Sequence, residues 1–279
     1  MTFPILAAFE PIVHHPFQFG VGPLQFTGFG IAVVMSFVVA QMISQHQMER
    51  KGYDPAPIAD MIIGAVVGGL LGAKLYFVVV LGNWDALFTR GGFVFWGGFI
   101  GGAIGVLAIA RWKKVPLLRT MEVGAPSLAA AYAVGRTGCW AIGDDYGRPW
   151  DGPLATVFPQ GAPPSTAGVM SSEFGVSFPP GTDPASVVAV HPTQLYEVAM
   201  ATLMFAIIWR LRGHRHREGW LFGVYLALAG VERFVVEFYR AKDDHLALGL
   251  TIAQMISIAV LLGGLAWLAA YRAPAAQRS

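Results

Sequence analysis

PIADMIIGAVVGGLLGAKLYFVVVL, residues 57–81, is an apolar run longer than the roughly 20 residues a helix needs to cross the hydrocarbon core of a bilayer. Outward from it the same pattern recurs on both sides, at Leu24–Gln45, Phe93–Ala110, Met121–Trp140, Pro192–Trp209, Trp220–Phe238 and Gly249–Tyr271. The Phe93–Ala110 stretch is short and rich in glycine, which leaves a partly re-entrant helix open there. The segment before Leu24 is broken by Pro4, Pro11 and Pro16 and cannot span, and its phenylalanines suit an interfacial arm. The expectation is an all-α polytopic membrane protein with seven transmembrane helices.

Composition agrees. The chain is 55% hydrophobic and 13% charged, about half the charge of a soluble domain. Its 34 glycines and ten methionines suit helices packed closely in lipid. A net charge of +2 leaves no footprint for nucleic acid. A single cysteine, Cys139, excludes an internal disulfide and a cysteine-based metal site. No basic segment followed by a short apolar core and a small-residue cleavage site opens the chain, so the first span is expected to direct insertion.

Orientation follows from the loops. Twelve basic residues fall on one side: Arg50 and Lys51; Arg111, Lys113, Lys114 and Arg119; Arg210, Arg212, Arg215 and Arg217; Arg272 and Arg278. Four fall on the other: Arg90, Arg148, Arg240 and Lys242. By the positive-inside rule the richer side is cytoplasmic, with the N-terminus outside and the C-terminus inside. The one long loop, Ala141–Val190, then lies outside, and its Pro, Gly, Ser, Thr and Asp content reads as turns with short strands. No internal duplication is visible, which disfavours a transporter of inverted repeats.

Three segments carry polar chemistry at the outer ends of the spans. GRTGCWAIGDDYGRPW, residues 135–150, puts Arg136 about one turn inside an apolar helix, with Asp144, Asp145, Gly147 and Arg148 following. An arginine at membrane depth is costly and usually holds an anion or lines a polar cavity. Alternatively Arg136 snorkels to the interface and pairs with Asp144. HPTQLYE, residues 191–197, opens the next span after the loop. His191, Gln194 and Glu197 recur every three residues and share one helical face. Capping and interhelical hydrogen bonds explain Gln194 and Glu197; for His191, capping and binding stand level. ERFVVEFYR, residues 232–240, aligns Arg233, Glu237 and Arg240 on another face. Arg233 suits an ion-pair ladder, whereas Arg240, at the outer end, is placed to meet a phosphate through its planar fork.

In order and content these motifs resemble the bacterial prolipoprotein diacylglyceryl transferase family. The matching stretches are FTGFGIAVV, GAKLYFVV, FWGGFIGG, GRTGCWAIGDDYGR, HPTQLYE and EFYR with a following DDH, and they run from about Phe26 to Ser257. The resemblance implies a multi-pass enzyme of the inner membrane, one integral-membrane domain (1–279) with a periplasmic insertion (141–190). It implies transfer of the sn-1,2-diacylglyceryl group from phosphatidylglycerol to the lipobox cysteine of a preprolipoprotein, with no metal or organic cofactor. The implied catalytic residues are Arg136, Asp144, Arg240 and His245. The implied substrate contacts are Arg136, Gly147, Arg148, His191, Gln194, Tyr196, Arg233, Glu237 and Arg240, with Glu197 in support. Arg136 and Arg240 stand at the family's two essential arginines and Asp144 where Glu is common.

The chain departs from the family in three places. Thr27 stands for the usual Tyr, Trp96 for the usual His and Cys139 for the usual Asn. A base role assigned to that His does not transfer, which leaves Asp144, Asp145, His191 or His245, or no strong base. These substitutions also keep two rivals in view. One is a paralogue with another donor or acceptor. The other is a phospholipid-binding or transport protein without turnover.

Overall fold

The structure is a computed structural model that describes residues 9–22, 24–89, 92–241 and 249–272. Short strands β1 (Ile12–Val13), β2 (Gln18–Val21) and β3 (Leu24–Thr27) precede helices α1 (Gly28–Arg50) and α2 (Ala56–Leu81). A 3-10 helix at Trp84–Phe88 leads to α3 (Phe95–Trp112) and α4 (Leu117–Ile142). The long loop contains β4 (Thr156–Val157) and α5 (Ala167–Phe174), and α6 (Thr193–Leu211), α7 (Trp220–Glu237) and α8 (Ile252–Ala270) follow.

Five of these helices, α1, α2, α3, α6 and α8, are long and apolar enough to cross a membrane. The protein is therefore mostly helical and of the multi-pass membrane class. α4 and α7 have the length but fall outside that group, because α4 carries Arg119, Glu122 and Arg136 and α7 carries Glu232, Arg233 and Glu237. The side-chain distribution is inverted relative to a water-soluble protein. Val79, Val80, Leu71 and Leu203 face outward, while Gln194, Glu197, Glu237 and Glu122 are at most 2% exposed. Hydrocarbon solvates the first group and cannot satisfy the second, so the polar groups turn inward toward one another.

The described residues divide into two compact units. One comprises residues up to Ser36, Ala129–Gly213 and the described part of Gly223–Ala270; the other comprises the described part of Phe37–Leu128, His214–Phe222 and the residues from Tyr271 on. In the second unit α2 and α3 meet backbone to backbone. A Cβ at Gly68 would lie 2.3 Å from the carbonyl oxygen of Gly101, and one at Gly101 2.2 Å from that of Gly68. Only glycine permits this approach. The glycines of Phe95–Trp112 thus serve close packing of a continuous helix, and a re-entrant break is not observed.

That unit also holds a buried carboxylate. Glu122 accepts from Lys51 Nζ at 3.1 Å, His214 Nε2 at 2.7 Å and the backbone N–H groups of Gly219 and Leu221. Its charge faces the first turn of α7, the positive end of the helix dipole, which favours an anion.

In the first unit the N-terminal arm is tied down by backbone hydrogen bonds. β1 pairs in parallel with β4, and β2 and β3 form an antiparallel hairpin that runs directly into α1. The expected start of the first span at Leu24 moves to Gly28. The Thr27 hydroxyl accepts from the Gly30 N–H at 3.1 Å and caps the helix one turn later than hydropathy suggests. The long loop is likewise folded, around Tyr146, Phe158, Met170 and Val190. The sequence reading missed α5, although its punctuation is visible: Thr166 accepts from the Val169 N–H, and Gly175 ends the helix at φ +68°.

Candidate active site

Backbone pairing assembles the site in the first unit. α4 ends at Ile142, and after Gly143 the chain crosses Asp144 and Asp145 into a short ladder. Gly147 N–H donates to the His191 carbonyl at 2.8 Å, Arg148 N–H to the Tyr239 carbonyl at 2.8 Å, and His191 N–H to the Arg148 carbonyl at 3.0 Å. Three stretches far apart in sequence, the end of α4, the start of α6 and the end of α7, are fixed side by side. A Cβ on Gly147 would lie 2.3 Å from the Tyr239 carbonyl oxygen and 2.8 Å from the His191 Cβ, so the ladder closes only on glycine.

Charged side chains converge on this frame. Arg136 donates from Nη1 to Asp145 Oδ2 at 2.9 Å and to the Cys139 sulfur at 3.3 Å, and its Nη2 pairs with Glu197. Arg240 reaches the other oxygen of Asp145, Oδ1, at 2.8 Å, and its Nε lies 3.8 Å from Glu237. Arg233 pairs with Glu237 at 2.6 Å and lies 3.7 Å from Glu197. Tyr132 donates to Glu197 at 3.1 Å and Thr251 to Glu237 at 3.3 Å. Guanidinium groups from α4, from α7 and from just beyond α7 therefore share a connected set of carboxylates.

The residues expected at the site are distributed as follows. Arg136, Asp144, Gly147, Arg148, His191, Gln194, Tyr196, Arg233, Glu237 and Arg240 all lie in this one unit. Gln194 donates from Nε2 to the Asp144 carbonyl, and Thr193 donates from its hydroxyl to the Asp145 carbonyl at 2.7 Å. Arg148 donates from Nε to the Arg240 carbonyl at 2.9 Å. His191 stacks on Trp150 with ring centroids 4.3 Å apart, and its Nδ1 lies 3.1 Å from the Tyr196 hydroxyl. His245 lies outside the described residues. Neither Arg136 nor Arg148 pairs with the Asp144 side chain. Asp145 takes the arginines, and it is the site residue that the sequence reading underweighted. Two adjacent carboxylates are equivalent as a string; the left-handed φ of +54° at Asp145 separates them in space.

The two aspartates differ electrostatically. Desolvation alone would raise the Asp145 carboxyl, but the Arg240 and Arg136 charges outweigh it and hold it well below the usual carboxylate range. Burial, and then the Asp145 charge, push the Asp144 carboxyl up to about 6. Its Oδ1 is buried without a hydrogen-bond partner. His191 is lowered, by burial first and then by Arg148. Asp144, Asp145 and Arg240 open onto a cavity of about 290 Å³ that Tyr146, Pro163 and Phe174 also line. The Cys139 sulfur and the two aspartates come within 4.8 Å of one another, as a metal site would require. With Arg136 on both the sulfur and Asp145, and Arg240 on Asp145, the local field instead favours an anion.

The site is thus a buried cluster of arginines and carboxylates beside a cavity, in a mostly helical protein of the multi-pass membrane class, and its arginines suit an anionic ligand. Comparison with known proteins narrows the class. A family model described as prolipoprotein diacylglyceryl transferase matches residues 16–270, and the chain belongs to that family. Three relatives carry the name phosphatidylglycerol–prolipoprotein diacylglyceryl transferase. The Clostridium tetani protein is 29% identical over 257 residues, covering 90% of this chain and 95% of its own length. The Paraburkholderia phymatum protein is 29% identical over 293 residues, covering 95% and 94%. The Nostoc sp. protein is 30% identical over 274 residues, covering 91% and 89%.

Proposed function

We propose that this protein is a transferase of lipoprotein biosynthesis that moves the sn-1,2-diacylglyceryl group of phosphatidylglycerol onto a prolipoprotein. In finer terms, the acceptor is the lipobox cysteine of the signal peptide, modified at the outer face of a bacterial cytoplasmic membrane. The observation that carries this reading is the convergence of Arg136 and Arg240, from different helices, on the two oxygens of one carboxylate. A pair of forks spaced to hold an oxyanion suits the phosphate of an anionic lipid. Membership of the family supports the same conclusion.

In the reaction the cysteine sulfur forms a bond to the terminal glyceryl carbon while the bond from that carbon to the phosphate oxygen breaks. The electron pair leaves on the phosphate oxygen, and the arginines offset the charge that grows there. The thiol proton passes to a base and on to the departing glycerol phosphate, so the step is balanced. Asp144 is the proposed base: its carboxyl is raised to about 6 and one oxygen is unpartnered. A base in that range is ionised at neutral pH yet basic enough to assist a thiol. Gly147 and Arg148 act through the ladder that fixes Arg240, with His191 and Tyr196 packed beside it. Arg233, Glu237, Gln194 and Glu197 hold the arginines and the aspartate turn in place. His245 is retained as a second candidate base.

The reading includes seven crossings. α4 and α7 join the five apolar helices, their charged faces turned inward, with the N-terminus outside and residues 141–190 in the periplasm as an insertion in a single membrane domain. The decisive experiment combines purified protein, phosphatidylglycerol and a lipobox peptide. Transfer adds the mass of one diacylglyceryl group to the peptide and releases glycerol phosphate in equal amount. Retention of lipid without any modified peptide would refute the transferase and leave a lipid-binding protein.

A further inference from the structure

The carboxylate that joins the two arginines differs from their other partners. Glu197 and Glu237 are at most 2% exposed and sit on helices. Asp145 sits on the loop after α4, and its side chain remains 42% exposed. Its backbone is held independently of the carboxylate. The Thr193 hydroxyl donates to its carbonyl, and Gln194 donates to the carbonyl before it. The side chain can therefore turn about its own bonds while the chain stays in place, and it lines the neighbouring cavity.

Arg136 and Arg240 are each more than nine-tenths buried, and the Nε of each lacks a hydrogen-bond partner. Each fork offers more donors than one carboxylate oxygen satisfies. An anion with three or four oxygens would use the same two donors and have acceptors left for others. The present occupant is thus a partial match for its seat.

We infer that Asp145 is the resident anion of the phosphate seat: its carboxylate closes the Arg136–Arg240 clamp in the lipid-free protein, and the lipid phosphate displaces it. This rests on the function proposed above. Binding becomes an exchange of one anion for another rather than the filling of an open site. The clamp stays satisfied while it holds no lipid: without Asp145, Arg136 would be left with Glu197, and Arg240 with Glu237 at 3.8 Å. The apparent affinity for the phosphate is lowered by the fraction of molecules whose clamp is closed. A lipid without a phosphate has nothing to offer the clamp, so its binding does not depend on Asp145. Asp145 is in this sense a positioning residue, since it leaves before the reacting atoms arrive.

The test is a titration of the purified full-length protein in detergent with dioctanoyl phosphatidylglycerol, and in parallel with dioctanoylglycerol, which lacks the phosphate. Asp145→Asn keeps the shape and tolerates a positive φ. Asp145→Gly suits the same φ and serves if the first variant accumulates poorly. The expected result is an approximately tenfold lower Kd for phosphatidylglycerol, about 1.4 kcal/mol, with binding of dioctanoylglycerol unchanged. In turnover the KM for the lipid should fall while kcat does not rise. Unchanged or weaker phosphatidylglycerol binding in both variants would overturn the inference and make Asp145 a strut for the arginines. Equal tightening toward both lipids would overturn it as well, because the gain would not come from the anion. If the wild-type protein gave no modified peptide at all, the proposed function would fail, and the two binding curves would still decide the role of Asp145.

Discussion

The Nε of Arg148 donates to the backbone carbonyl of Arg240 at 2.9 Å, so one arginine of the site fixes the main chain that carries another. The bond crosses 92 positions of sequence. It reinforces the ladder formed by Gly147, Arg148, His191 and Tyr239. Arg148 is thus a support for Arg240 rather than a partner of Asp144. Arg148→Ala should leave the protein folded and lower kcat/KM by about fivefold, the worth of about 1 kcal/mol for one partly exposed hydrogen bond. Steady-state assays with the lipobox peptide check this, and a full loss of activity would place Arg148 on the substrate instead.

Gly147→Ala is the sharper perturbation. The added methyl would meet a carbonyl oxygen at 2.3 Å, and backbone yields less readily than a side chain tip. The ladder must open, at roughly 1–3 kcal/mol. We expect a lower Tm in detergent together with a large loss of turnover, since Arg240 sits on the displaced strand. Unchanged unfolding with full activity would show that the ladder is dispensable.

Asp144 should make the protein pH-dependent in two opposite ways. Its carboxyl is raised from an ordinary value near 3.8 to about 6. Such a group is easier to protonate folded than unfolded, so its ionisation costs stability. That cost is absent below about 3.8, grows through the interval and is complete above about 6. Asp144→Asn should therefore match the wild type in thermal unfolding at the acid end and exceed it above pH 6. Activity should fall instead. The deficit should be greatest at about pH 6 to 7 and shrink toward about 8.5, where the acceptor thiol ionises unaided. A uniform deficit at every pH would indicate positioning, not proton transfer.

Glu122 tests the second unit. It is 1% exposed and holds Lys51, His214 and two backbone N–H groups. Glu122→Ala leaves those donors and a cation without their acceptor, at about 3–5 kcal/mol. A lowered Tm with kcat preserved per folded molecule is the expected outcome. An unaltered Tm would mean that the carboxylate contributes no net stability.

Topology is open to chemical labelling. Ser165, at first sight a good position in the long loop, is fully buried and hydrogen-bonded to Phe158 and Val188. Ser172, on α5, is exposed, and the native Cys139 is only 8% exposed. Ser172→Cys should react with an impermeant thiol reagent in intact spheroplasts. Reaction only after lysis would invert the orientation.

Hydropathy and composition by themselves determined the class of this protein. Long apolar runs leave a chain no alternative to helices in lipid, because unpaired backbone groups cannot be left in hydrocarbon. The clustered basic residues predict sidedness, and the arginine segment, HPTQLYE and EFYR mark where polar chemistry would gather. Local order could not decide which charges meet. Asp144 and Asp145 are neighbours in the chain, and contacts that distinguish them come from Arg240, Thr193 and Gln194, 48 to 95 positions away. Nor does periodicity reveal that Gly147 must lack a side chain, since the obstructing carbonyl belongs to Tyr239. Burial, pairing and the raised carboxyl of Asp144 are consequences of long-range contacts, and only the tertiary structure could assign them.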